Sequence, residues 1–326
     1  MAPKKDKIPS KKKDKYHIRN WHQYNQSLVN RGSITFWFDE DAIEKWHSVE
    51  KTGKPGRPEV YSDFAVRCGL AIKAVFRVAL RALQGLITSL IKILGLSLKC
   101  PNYSLFSRRA DGLQMPMRRF LNPGEHLNIV FDSTGLKVYG EGEWKVRKHG
   151  YSKRRTWRKV HVGMCADTRQ VVVSAITSND VSDDEAMLAM MTTLDDVKIG
   201  NVFGDGAYDT VDCRQFIHDI GGRQVIPPKR TAKQQRKNPL PALKERDDAI
   251  QKIKDLGEEG RAKWKQEIGY HQRSLVETHM FRHKTILGDR LSARKKGTQA
   301  TELVIKCDVL NRMTGLGMPN SYKVPV

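Results

Sequence analysis

The stretch HLNIVFDSTGLKVY, residues 126–139, is an apolar run that follows the turn signal Asn122-Pro123-Gly124 and delivers an acid, Asp132, to its end. Its β-branched and aromatic side chains, set off by a proline-glycine break, read as a strand. Two more such runs come next, WRKVHVGMCAD (157–167) and QVVVSAITSND (170–180), separated by a turn at Asp167-Thr168. With short connections, the three are expected to form an antiparallel meander. The pattern then alternates: a helix over 183–194, the strand NVFGD (201–205), a helix over 210–220 and the strand RQVIPP (223–228). Strands first, then β and α in turn, describe an α/β unit with a mixed sheet flanked by helices.

A second acid, Asp205, stands between glycines in NVFGDGAYD (201–209). A lone Asp at a strand end more often caps a turn, so neither acid is informative by itself. The third belongs to YHQRSLVETHMFRHK (270–284), which reads as one helix between Gly269 and Gly288. At about 100° per residue, Tyr270, Arg273, Glu277 and Lys284 fall within an arc of roughly 60°. One carboxylate and two cations thus share a face, with Phe281 near it, and Arg273 is the i,i+4 partner of Glu277. Buried carboxylates are costly unless they hold a metal or a cation. Three acids from two strand ends and a helix suit paired divalent cations, which take oxygen ligands and act on phosphodiesters.

The combination FDSTGLKVYG, GDGAYD and Tyr270-x2-Arg273-x3-Glu277-x6-Lys284 resembles the DDE transposases of bacterial insertion sequences, in the family named after insertion sequence five. The resemblance runs from about Tyr16 to Met313, and the four typed residues at fixed offsets are its most specific part. It implies a ribonuclease H-like fold, with Asp132, Asp205 and Glu277 as the catalytic acids holding two Mg2+ ions, for which Mn2+ can substitute. It also implies DNA contacts from Tyr270, Arg273 and Lys284.

Composition agrees with a nucleic-acid partner. The 326 residues carry 58 Lys+Arg against 36 Asp+Glu, a net charge of +22, and a basic surface gains affinity by releasing counterions from phosphates. The longest uncharged apolar-rich run near residue 86, Ala82 to Ile91, is too short to span a bilayer. Five cysteines with no CxxC pair argue against a disulfide framework or a zinc site and for reduced thiols in a cytoplasm; with the family resemblance, a bacterial, nucleoid-associated location is expected. The start, MAPKKDKIPSKKKDK, has basic residues but no apolar core behind them, so residues 1–15 read as a disordered basic tail.

Residues 16–120 are expected to be a helical DNA-binding domain. Aromatic-rich pieces lead to the linker KTGKPGRPEVYS, followed by two amphipathic helices over 63–94, broken near Gly85 and interrupted by Lys73, Arg77 and Arg81. Pro101 is placed to open a short basic helix that Arg108 and Arg109 end. Helix, helix, turn and basic helix is a helix-turn-helix-like pattern whose DNA-contacting candidates are Tyr103, Ser104, Ser107, Arg108 and Arg109. The core is divided as 121–228 and 270–326, around a charged insertion at 229–269 that holds one or two helices. The basic segment 142–161 follows the Asp132 strand directly, and the segment 300–313 reads as an amphipathic helix on the sheet with Leu303, Val304, Cys307 and Leu310 inward.

The expected function is a DNA transposase that cleaves the ends of its own element and joins the 3′ hydroxyls to target DNA. Its partners would be terminal inverted repeats, target DNA and further copies of the chain, as a homodimer or higher oligomer. Two rivals stand beside it: a ribonuclease H-like nuclease that does not rejoin strands, and a non-catalytic basic DNA-binding protein.

Overall fold

The computed structural model describes residues 15–48, 60–113, 126–138, 157–235 and 240–324, together with positions 117 and 124. The basic tail, most of the KTGKPGRPEVYS linker, Pro123 and residues 142–156 of the basic segment lie outside the described residues.

The chain opens with strand β1 (Lys15–Ile18) and helices α1 (Trp21–Asn30), α2 (Ile34–Trp37) and α3 (Glu40–Glu44). Two longer helices follow, α4 (Asp63–Phe76) and α5 (Leu80–Ile93), and then the short α6 (Tyr103–Arg109). Ser62 and Asn102 cap α4 and α6 by accepting the free N–H groups of Ala65 and Ser104. The break between α4 and α5 falls at residues 77–79, not near Gly85, and the chain bends there by 109°. Its cause is Arg77, which closes α4 in the left-handed region at φ 53°, whereas Gly85 sits inside α5. Nine residues connect α5 to α6, longer than the turn of a helix-turn-helix. No single helix among the described residues is long and apolar enough to cross a membrane.

The sheet is built from β2 (Leu127–Val138), β3 (Trp157–Cys165), β4 (Val171–Thr177), β5 (Ile199–Phe203) and β6 (Arg223–Val225), with the two-residue β7 (Arg290–Leu291) on β2. The order is β4-β3-β2-β5-β6; β3 is antiparallel to both neighbours, and β5 and β6 run parallel to β2. This is the ribonuclease H-like mixed sheet. Between the strands lie α7 (Asp183–Met191) and α8 (Val211–Asp219), capped by Ser182 and Thr210. The charged insertion folds as α9 (Lys244–Asp255) packed on α10 (Gly260–Glu267).

Alternation along β2 sorts its side chains into two cores, as the period of a strand requires. Ile129 and Phe131 meet α7 and α8, among them Met187, Cys213 and Ile217. Val130 and Leu136 face the other side, with Val276, Met280, Leu303 and Cys307. Those last residues come from α11 (Ser274–Arg282) and α12 (Lys296–Gly315). The run 270–284 is therefore not one regular helix. Its first turn, Tyr270–Arg273, is a tight 3-10 turn, and beyond Arg282 the chain widens into a π turn, His283–Leu287, ended by Gly288.

Helix α12 departs from the amphipathic expectation, being buried on both sides. Leu303 and Cys307 face the sheet, while Ile305, Val309, Leu310 and Met313 join the core of α4 and α5, with Ile72, Leu83 and Ile87. Val304 is only partly buried. The amino-terminal helices thus share one core with the carboxy-terminal helix, and β1 pairs antiparallel with the last strand, β8 (Ser321–Val324).

Candidate active site

Strand β2 outruns its neighbour β5. Parallel pairing with β5 ends at Val130↔Phe203, and β7 picks up the same edge only at Lys137. Asp132 lies in the gap between, at the sixth position of a twelve-residue strand rather than at its end. Across β3 it pairs with Val162, so its carboxylate leaves from the face that carries α11 and α12. The crevice beyond the carboxyl end of a parallel strand is where open α/β sheets bind ligands.

Asp205 follows the end of β5 and caps the one-turn helix Gly206–Tyr208, with Oδ1 accepting from Ala207 N–H at 2.7 Å. The flanking Gly204 has a packing reason. A Cβ there would come within 2.7 Å of the Tyr208 ring, which is buried against Phe131. Tyr208 thus pins the loop to the sheet, and the cap leaves Oδ2 of Asp205 to face outward.

Arg273 joins these acids to Glu277. Its Nη2 lies 3.7 Å from Asp132 Oδ1 and 3.7 Å from Asp205 Oδ2, while Nη1 donates to Glu277 Oε1. Exposure rises from 18% for the Asp132 side chain to 40% for Asp205 and 54% for Glu277, so the cluster opens toward solvent on its helix side. Burial pushes the Asp132 carboxyl above its ordinary pKa, and Asp205 and Glu277 add to this against the pull of Arg273 and the Ser133 N–H. Burial also works against the Arg273 charge, but Tyr270, Asp132 and Glu277 outweigh it and hold the guanidinium more firmly protonated than usual. The Tyr270 phenol is pushed up to about 12 by burial, and Lys265 lies 4.5 Å from its ring centroid. Lys284 donates to Thr134 Oγ1 at 2.6 Å, two residues beyond Asp132 on the same face of β2. All six residues singled out in the core, Asp132, Asp205, Tyr270, Arg273, Glu277 and Lys284, therefore gather at one end of the sheet.

The donor set fits hard divalent cations. Three carboxylates face one guanidinium, leaving a formal deficit of two positive charges, and every acidic ligand is oxygen.

A second acid in the same loop went unremarked in the sequence. Asp209 is buried, accepting from Arg214 Nε at 2.7 Å and from Lys229 N–H at 2.6 Å, with Arg246 at 3.2 Å. Arg214 in turn donates to Gln224 Oε1 and the Ile226 carbonyl. This network fastens the Asp205 loop and the insertion to β6. The signal was legible: Arg214 stands three residues before the apolar Ile217, on the inward face of α8.

The amino-terminal candidates divide. A cleft of about 1400 Å³ between the helical unit and residues 287–306 is lined by Tyr103, Ser104, Ser107 and Arg108. Lys73, Arg77 and Arg81, which interrupt the apolar pattern of α4 and α5, line it too, facing Arg290 and Arg294. Arg77 lies against Gly288, where an added Cβ would come within 2.8 Å of Nη2 and φ is +91°, so glycine is required. Arg109 is elsewhere, bound to Asp63 and to the Tyr61 carbonyl, where it ties α6 to the start of α4.

A family model described as "Transposase DDE domain" matches residues 123–312, and a second with that description matches residues 29–141. Among solved structures, the chain is similar to the piggyBac transposase in its synaptic complex with hairpin DNA, at 11% identity and a TM-score of 0.40, over 88% of this chain and 75% of that one. Because the first match spans more than half of the 326 residues, the chain belongs to the DDE transposases.

Proposed function

We propose that this transposase cleaves the ends of its own element and joins the freed 3′ hydroxyls to target DNA, with Asp132, Asp205 and Glu277 as its catalytic carboxylates. The observation that carries this reading is the convergence of all three on one guanidinium, that of Arg273. Asp132 and Asp205 would hold one side of a two-cation site from rigid backbone, and Glu277 would close it from α11. Magnesium is the proposed ion, with manganese as a substitute; when bound, such cations activate a water or hydroxyl and neutralise the departing oxygen. Arg273, held charged by the acids, keeps them together and offers a donor to a phosphate. Lys284 and Tyr270 supply further phosphate-directed groups on either side of Glu277. The basic cleft with Tyr103, Ser104, Ser107 and Arg108 is the proposed track for duplex DNA carrying a terminal inverted repeat, since clustered cations bind phosphates whatever the sequence. Docking of α6 on DNA and a homodimer or higher oligomer of the chain complete the proposal.

Incubating the purified chain with Mg2+, a duplex ending in the element's terminus and a target plasmid tests it. The expected product is the terminus covalently joined through its 3′ end. Hydrolysis without joining would favour a nuclease, and binding with no cleavage in any divalent ion would sink the catalytic reading.

A further inference from the structure

Behind α11, on the side turned to the core, His279 and His283 stand four residues apart, so both rings leave the same face. Both are buried, and the Nε2 atom of each has no hydrogen-bond partner among the described residues. Burying such a nitrogen unpaired is costly, because its lost bonds to water are not replaced. Across from them, α12 presents Cys307, also fully buried. A ring nitrogen from each histidine and the Cys307 sulfur all lie within 4.8 Å of one another. Beside the thiol, Ser174 on β4 places a further buried oxygen within reach of the Cys307 sulfur.

We propose that His279, His283 and Cys307 form a second metal site, for a borderline-soft divalent ion of the zinc type. Two imidazoles and a thiolate are the donors such an ion prefers, and they differ in kind from the all-carboxylate set at Asp132, Asp205 and Glu277. Tetrahedral bonds of about 2.0–2.3 Å place ligand atoms roughly 3.3–3.7 Å apart, so the three donors need to close by at most about 1.5 Å. The widened π turn begins at His283, and local rewinding of this kind recurs at functional positions in helices. A cleft of about 620 Å³, lined by Met164, Leu275, Thr278 and Arg282 among others, borders His279. Of the nearby cations, Lys306 is held by the Arg290 carbonyl and Glu302, and Arg282 donates through Nη1 to Thr314 while its buried Nη2 has no partner among the described residues. Loading the site converts the Cys307 thiol to a thiolate and releases one proton to solvent, with no change in oxidation state. The ion would clamp α12 to α11, the helix that carries Glu277.

Cobalt(II) titrated into the metal-stripped full-length chain reads the site directly. One equivalent should give the visible bands of tetrahedral cobalt and a thiolate-to-cobalt charge-transfer band in the near ultraviolet, displaced by zinc. Cys307→Ser should lose the charge-transfer band, and Cys165→Ser should keep it. Carboxylate ligation at the other site produces no such band, so the two loci are distinguishable. X-ray absorption on the zinc-loaded wild type supplies a readout that needs no variant, with an expected shell of two imidazoles and one sulfur. A cobalt spectrum without thiolate charge transfer, a band unchanged by Cys307→Ser, or an all-oxygen zinc shell would overturn the assignment.

Discussion

Asp205 and Asp209 stand four residues apart in one loop, each next to an arginine, and they do opposite things. Asp209 is sealed under the insertion with its oxygens accepting from Arg214 and the Lys229 N–H, a closed network that leaves no capacity for a ligand. Asp205 meets Arg273 only at 3.7 Å, too long for a hydrogen bond, and shares it with two other carboxylates. The saturated pair holds the loop in place. The undersaturated cluster has charge left to bind something. An acid-arginine pair is thus read by how completely it is satisfied, not by its presence.

The largest effect should separate the two in activity. Asp132→Asn, Asp205→Asn and Glu277→Gln should each lower end cleavage by far more than the roughly 10–100-fold lost when a mere supporting group of a metal site is removed. DNA binding should persist in gel-shift assays, and near-normal cleavage by any one variant would take that residue out of the site.

In stability the order reverses. Asp209→Asn strands Arg214 and Arg246, and breaking a buried pair this way costs about 3–5 kcal/mol. Asp205→Asn keeps its turn-capping oxygen and should stay within about 0.5 kcal/mol of wild type. Urea unfolding of the two variants checks this; equal midpoints would erase the distinction between anchor and site.

A smaller change tests the phosphate role beside the acids. Lys284→Ala should reduce the slope of log affinity against log salt by about 0.9, one duplex phosphate, and leave residual cleavage at low salt. An unchanged slope with complete loss of cleavage would move Lys284 into the chemistry.

The smallest effect concerns the uncompensated charge at Asp132. Its carboxyl has a raised pKa in the folded chain, so folding binds the proton more tightly than the unfolded chain does. That contribution is full below the ordinary carboxylate value and is lost as pH rises through the raised one. In EDTA, wild-type stability should fall across this window, and Asp132→Asn should flatten the fall. A variant with the same pH profile would show that Arg273 already balances the cluster.

The strands, and with them the placement of Asp132 and Asp205, were legible because each sits in a short apolar run with its own turn signals, and period two needs no distant information. Glu277 and Arg273 were legible through spacing alone. What escaped depended on partners far along the chain. Nothing local in residues 300–313 says that the helix is covered twice, since its second cover comes from α4 and α5. Likewise β1 has no reason to be a strand until Ser321–Val324 lies beside it. The rewinding at His283–Leu287 and the break at Arg77 escaped because both are set by tertiary packing, against local propensity.

During synthesis, the amino-terminal helices are complete by residue 110, yet the helix that covers their inner face begins at residue 296. At about 5–20 residues per second, roughly 10–40 s separate the two events. Through that interval, the surfaces of Ile72, Leu83 and Ile87 that will meet α12 wait for a cover the ribosome has not yet made. A chain released early, before Lys296, never receives it, so the apolar face that the finished molecule hides becomes the mark by which quality control can tell an incomplete copy from a complete one.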